Sequence, residues 1–404
     1  MNRRRLAILF SCAVLTGCAG APTTPASSSP AAPAPEADLT TTAVVVHAVH
    51  PPLRLFGSDG KTHLDYDLIL QNVFDAPVTV TSIDVVDGNG SSLLRLAGDQ
   101  VTAVSMPVFP GPPTAVVPPG GSLGTVIDVV VSPDKVPAEL SHRIAYTVGP
   151  SEFTSAIGTT DIVGPDLTVD PEKPTTIAPP VKGAEWLNAN ACCDAQTPHR
   201  SFRLAVGGNS IKKPEEFAID WVQMRDRKLF SGDGSRNEDW YGYGVDLLAV
   251  ADGTVAAVGD GQPDQKPLAP AAGIGKPEDY SGNHVSLAIS PGVFAIYAHA
   301  KPGSITVKPG DKVTKGQVIG KLGNSGNSSG PHLHFQLADG PEITSSNSLP
   351  FAVGTYQFAG MIGPKELSDP AQVAGGSPKL TVTGPAGPQT DTYPLVYSVV
   401  DFAT

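Results

Sequence analysis

The chain has 404 residues, with 27 Lys and Arg against 39 Asp and Glu, for a formal charge of −12. That balance disfavours a phosphate-backbone partner, so nucleic acid is excluded as an expected ligand. With 43 glycines and 40 prolines in a sequence that is 40% hydrophobic, the composition predicts a turn-rich, mainly β protein of two or three domains.

Residues 1–17 predict an export signal. Arg3, Arg4 and Arg5 precede an apolar run from Leu6 to Leu15 that is too short to settle as a transmembrane helix. The run ends in Leu15, Thr16, Gly17 and Cys18, which resembles the lipobox of bacterial lipoproteins. The resemblance implies cleavage before Cys18, lipidation of its thiol, and a membrane anchor outside the cytoplasm. Residues 18–42 then carry Pro22, Pro25, Pro30, Pro33 and Pro35 among Ala, Ser and Thr, a composition that cannot bury a core. They predict a tether that lets the folded part reach the cell wall. Cys12 leaves with the signal, so Cys192 and Cys193 remain as adjacent residues; a strained vicinal disulfide and two buried thiols are both compatible with an oxidising envelope.

Short alternating runs at Ala43–Val46, Leu64–Leu70, Val78–Val86, Gly124–Val131 and Arg143–Val148 predict an immunoglobulin-like β-sandwich over residues 43–165. His47, His50, His63 and His142 are scattered through it and predict no chemistry. The proline-rich stretch 166–180 predicts a linker, residues 181–350 a second β-rich domain, and residues 351–404 an extension with one last strand, Pro394–Phe402, pairing at an edge.

The second domain concentrates the polar chemistry. On a strand through Pro331–Leu337, alternation puts His332, His334 and Gln336 on one face. On a strand through Val293–His299 it puts Tyr297 and His299 on one face and Phe294, Ile296 and Ala298 on the other. Val307–Gly320 reads as a compact hairpin-like unit punctuated by glycines.

Gly282-Asn283-His284-Val285, Tyr297-Ala298-His299, the Val307–Gly320 unit, the Gly/Ser loop Gly323–Gly330 and Pro331-His332-Leu333-His334-Phe335 follow one another in an order that resembles the lysostaphin-type zinc endopeptidases. These enzymes cut peptide bonds in peptidoglycan. The likeness spans roughly residues 215 to 340. It implies that His334 binds one zinc ion and that His332 and His299 assist the reaction. The family's other ligands come from a His-x-Gly-x-Asp segment, whose best match here is Glu216-Phe217-Ala218-Ile219-Asp220. Asp220 fits; Glu216 stands in the place of the histidine and Ala218 in that of the glycine.

The expected metal set is therefore Glu216, Asp220 and His334, with His199 or His284 as an alternative imidazole and Tyr297 as an accessory that orients a histidine. Asp246, in Gly242-Tyr243-Gly244-Val245-Asp246, is expected to be a turn or strand-end carboxylate. Two carboxylates and one imidazole would leave the ion less electrophilic and hydrolysis slower. The expected function is a lipid-anchored cell-envelope endopeptidase acting on the peptide of peptidoglycan. The departure at Glu216 keeps open a non-catalytic homologue that binds peptidoglycan or regulates a partner wall hydrolase.

Overall fold

Strands of alternating apolar and small polar residues organise the first part of the chain. In the computed structural model, which describes residues 40–108, 111–368, 377 and 379–403, the strand Thr62–Asn72 pairs with Val44–Ala48, Leu53–Phe56 and Ser122–Val131. A second antiparallel sheet joins Val78–Asp87 to Ser92–Ala97 and Glu139–Val148. Leu64, Leu68 and Leu70 from the first sheet meet Val78, Ile83 and Ile144 from the second in one core, which is sandwich architecture. The export signal, Cys18 and nearly all of the tether lie outside the described residues.

The expected linker at 166–180 is built into the fold. Leu167–Thr168 pairs with Glu139–Val148 and Val169 is buried in the sandwich core, while Thr175–Ile177 pairs in parallel with Phe351–Ile362. The sandwich therefore runs a few residues past 165, and the next strand already belongs to the second sheet.

That sheet carries, side by side, Gly183–Asn188, Ile219–Gln223, Leu333–Ala338, Val293–Ala300, Asn283–Ser290 and Gly253–Gly259. Its core is aromatic: Trp186, Trp221, Tyr297, Phe335, Phe351 and Tyr393 are all buried in it. The C-terminal extension belongs to the same sheet. Ser398–Phe402 lies inside it, between Phe351–Ile362 and Gly183–Asn188, and the long strand Phe351–Ile362 also pairs with Val382–Thr383 and Gly387–Thr392. Gly354 and Gly360 interrupt the alternation that would have announced this strand. Gly360 is required where it stands, with φ at +131° and a register shift between Phe358 and Gly360, since a Cβ there would come within 2.5 Å of the Thr383 carbonyl oxygen.

The Val307–Gly320 unit is not a hairpin of its own. Lys312–Val313 pairs with Gly253–Gly259, whereas Val318–Lys321 pairs with Asp246–Leu248 in a separate two-stranded sheet. Asp246 is an exposed strand-end carboxylate, 2.6 Å from the Lys321 ammonium. Among the described residues no helix is long and apolar enough to cross a membrane.

Candidate metal centre

The site begins with a register. Ile219–Gln223 runs antiparallel to Leu333–Ala338 so that Asp220 sits directly opposite His334, and cross-strand partners share a face. His334 Nδ1 stands 3.1 Å from Asp220 Oδ1, and His332 Nε2, from the residue before the strand, stands 3.3 Å from the same oxygen.

His299 reaches this face against the strand's alternation. On Val293–Ala300 it is Ala298 that pairs with His334, so a regular strand would turn His299 to the opposite face along with Tyr297. Tyr297 does lie on that opposite face: its ring meets Phe335 edge-on at 5.1 Å in the core, and its hydroxyl accepts a hydrogen bond from the Val250 amide. His299 instead takes φ at +62°, which costs on the order of 1 kcal/mol for a residue with a Cβ and swings the imidazole to within 4.7 Å of the His332 ring. The expectation that Tyr297 and His299 share a face is thus corrected. With it falls the accessory role for Tyr297, whose body is core and whose hydroxyl is occupied far from any imidazole.

The missing imidazole arrives from another part of the chain. The four-residue helix Pro198–Ser201 places His199 Nε2 3.3 Å from Asp220 Oδ2, with its ring edge-on to His334 at 4.8 Å. Asn190 bridges the two, donating from Nδ2 to Asp220 Oδ2 and accepting from the His199 amide. Glu216 is not brought to this cluster. Its carboxylate is buried 2.9 Å from His50 Nε2 and 3.5 Å from an Arg200 nitrogen, both outside the cluster. Burial pushes Glu216 up, yet the His50 and Arg200 charges outweigh it and hold the group at about 2. The preceding residue, Glu215, faces the cluster: its carboxylate, His199 and His334 all have donor atoms within 4.8 Å of one another. His284 also lies elsewhere, donating from Nδ1 to the Gly282 carbonyl and packing against Gly259, where a Cβ would come within 2.5 Å of the imidazole.

Hydrogen bonds on the outer side of each ring settle which nitrogen faces inward. Gln336 Nε2 donates to the Pro214 carbonyl, so Gln336 Oε1 accepts from His334 Nε2 at 2.9 Å, leaving His334 Nδ1 toward Asp220. His199, His299 and His332 each donate from Nδ1 to a backbone carbonyl, of Ala218, Ser325 and Gly330 respectively, leaving Nε2 inward. A lone pair from His199, one from His334 and the Asp220 carboxylate therefore converge, an arrangement that calls for a cation. His334 Nδ1 meets Asp220 Oδ1 at 3.1 Å and His199 Nε2 meets the other oxygen, Oδ2, at 3.3 Å, so the carboxylate lies between the two imidazoles. Two imidazoles and a carboxylate fit zinc chemistry.

Burial pushes His334 down, but the Asp220 hydrogen bond and charge outweigh it and hold His334 at about 9. Burial likewise pushes Asp220 up, and the surrounding imidazoles overcome this and hold it well below the usual carboxylate range. His299 is pushed well down, by burial first and then by His332 and His334, and so remains neutral. Beside the cluster opens a cleft of about 630 Å³, lined by Asp220, His332, Trp240, Leu268, Pro270 and Ser329.

Residues 241–345 match the profile of a family described as Peptidase family M23. The match takes in His299, His332 and His334 and begins beyond His199, Glu215 and Asp220. A 58-residue stretch is 43% identical to the peptidoglycan DD-endopeptidase ShyA of Vibrio cholerae serotype O1, covering 14% of this chain and 13% of that protein. A 95-residue stretch is 36% identical to the glycyl-glycine endopeptidase ALE-1 of Staphylococcus capitis, covering 23% and 24%. The chain thus spans about a quarter or less of the length of these relatives. The solved catalytic domain of lysostaphin from Staphylococcus simulans is 20% identical over 41% of this chain and 84% of that one, with a TM-score of 0.23, too low to place any residue. The lysostaphin-type resemblance of the motifs is borne out by the family match and the named relatives.

Proposed function

We propose, from the M23 peptidase domain in residues 241–345 and the donors assembled beside it, that the protein is a zinc endopeptidase of the cell envelope that cleaves peptide bonds in peptidoglycan. His199, Asp220 and His334 hold the ion, with His199 in the role that the sequence motif offered to Glu216. Lipidation at Cys18 tethers the enzyme to a membrane outside the cytoplasm, within reach of the wall. The observation that carries the reading is the convergence of two imidazole lone pairs and a carboxylate, each imidazole fixed from behind by an oxygen acceptor.

When bound, zinc supplies a Lewis acid that polarises a peptide carbonyl and acidifies a water. The chain's own groups do the rest. His299, neutral and fixed as the Nδ1–H tautomer by the Ser325 carbonyl, offers Nε2 as the proton acceptor. The proton that His299 takes from the water is the one returned to the leaving amine, passed through Nε2 of His332, whose ring centroid lies 4.7 Å from that of His299. Trp240 and Leu268 give the cleft an apolar wall that excludes water from an extended peptide.

Elemental analysis of the full chain after removal of loosely held metal is the direct test. About one zinc per chain is expected in the wild type and none in His334→Ala or His199→Ala. His299→Ala and His332→Ala are expected to keep zinc and lose the release of soluble fragments from purified peptidoglycan. A wild type without zinc would instead favour a non-catalytic protein that binds the wall or regulates a partner hydrolase.

A further inference from the structure

The segment that delivers His199 is gripped by the sandwich as well as by Asn190, Ala218 and Glu216 of the second part of the chain. Arg200, the next residue, is fully buried. Its Nε lies 2.8 Å from Asp65, its Nη1 2.5 Å from Asp67, and its Nη2 donates to the Tyr66 carbonyl at 2.9 Å. All three partners belong to the sandwich strand Thr62–Asn72. Arg203 Nε lies 2.5 Å from the other oxygen of Asp67, and Lys213 Nζ lies 3.1 Å from that same oxygen while donating to the Arg200 carbonyl. Asp65, Asp67, Arg200 and Lys213 have no exposed surface, and Arg203 is buried.

A second feature of the sandwich surface shows the same fit. Gly124, on Ser122–Val131, lies so close to Arg203 that a Cβ there would come within 2.4 Å of the guanidinium carbon. A four-residue helix has no stability of its own, so its position is set by what holds it. Buried ion clusters add little stability over apolar packing of equal volume, but each partner's loss leaves an uncompensated charge. A rigid guanidinium fork between two carboxylates also fixes orientation.

We infer that the N-terminal sandwich is part of the metal centre's scaffold: Asp65 and Asp67 are positioning residues that act through Arg200 to hold His199 against Asp220 and His334. The inference rests on the reading of these three as metal ligands. On this account the peptidase segment alone carries an incomplete donor set, and the sandwich completes it without touching the ion.

Cobalt titration of the full chain, followed by visible absorption, tests this. Asp67→Asn removes the carboxylate between Arg200, Arg203 and Lys213; Gly124→Ala removes no charge and only displaces Arg203. In both, cobalt affinity is expected to fall about 10- to 100-fold, and the spectrum to move toward that of His199→Ala, which lacks one nitrogen donor. Wild-type affinity and spectrum in both folded variants would overturn the inference, and if Asp67→Asn fails to fold, Gly124→Ala decides. His334→Ala reads the underlying assignment separately, since it should abolish cobalt binding whatever the sandwich does. Should the wild type take up no cobalt, that assignment falls, and the His199 imidazole resonance still reports the placement: a shift in Gly124→Ala supports the sandwich's hold on His199, and an unmoved resonance overturns it.

Discussion

His332 and His334 could be placed from the sequence because a strand's period of two leaves little freedom, and Asp220 because an acid between Ile219 and Trp221 demands a partner. His299 and His199 were both named as candidates, but two different effects kept their placement from being read off the strands. A single positive φ turned His299 away from the face it would share with Tyr297, and no pattern of side chains announces such a reversal. His199 was obscured because motif spacing ties ligands to one local segment, whereas here the helix carrying the imidazole is folded back from earlier in the chain. Of the adjacent pair Glu215 and Glu216, spacing pointed to the one that faces Arg200. Two outcomes follow at this scale. Glu216→Gln should keep its zinc while lowering unfolding stability, by about 3–5 kcal/mol if the buried partners are left uncompensated; chemical denaturation beside metal analysis measures both, and a lost zinc in a folded variant whose His199 imidazole resonance is unmoved would return Glu216 to the ligand set. Gln336→Met removes the acceptor behind His334 and should weaken zinc about 10- to 100-fold, read by competition with a coloured chelator.

Elements were easiest to read where β-branched runs alternate, as in Val78–Asp87, and hardest where glycines interrupt, as in Phe351–Ile362. What looked like a tail supplies an interior strand of the second sheet. Ser398–Phe402 satisfies the edge of Gly183–Asn188, and Phe402 packs edge-on against Trp221 at 5.3 Å, next in sequence to Asp220. A chain ending at Leu349 would bare that edge and its unpaired backbone groups. Such a truncation is expected to aggregate and to bind no zinc; a monomeric, zinc-loaded product in size-exclusion chromatography would show the last strands to be dispensable.

For the molecule as a whole, the described residues from 40 onward form one compact unit, and its stability should carry a pH signature away from the proposed metal centre. His63 Nδ1 lies 2.9 Å from Asp128, and its Nε2 lies 3.4 Å from Asp59. Burial pushes His63 down, but hydrogen bonds to the two carboxylates outweigh this and hold it at about 10. A histidine whose folded value lies above its ordinary 6.5 favours the folded state in full below 6.5, and loses that contribution as pH rises toward 10. The melting-temperature advantage of the wild type over His63→Gln should therefore shrink steadily from pH 7 to pH 10; a constant difference across that range would contradict the assignment.

The place of Ser398–Phe402 inside the sheet also sets a timetable. Synthesis proceeds from the N-terminus and domains fold largely as they appear, so the sandwich, with Asp65 and Asp67 in position, precedes the segment it must receive. The strand bearing Asp220 gains its final lateral support only after residue 402 has been made. The sheet that seats Asp220 is therefore closed by Ser398–Phe402, a segment that emerges after every strand it must join.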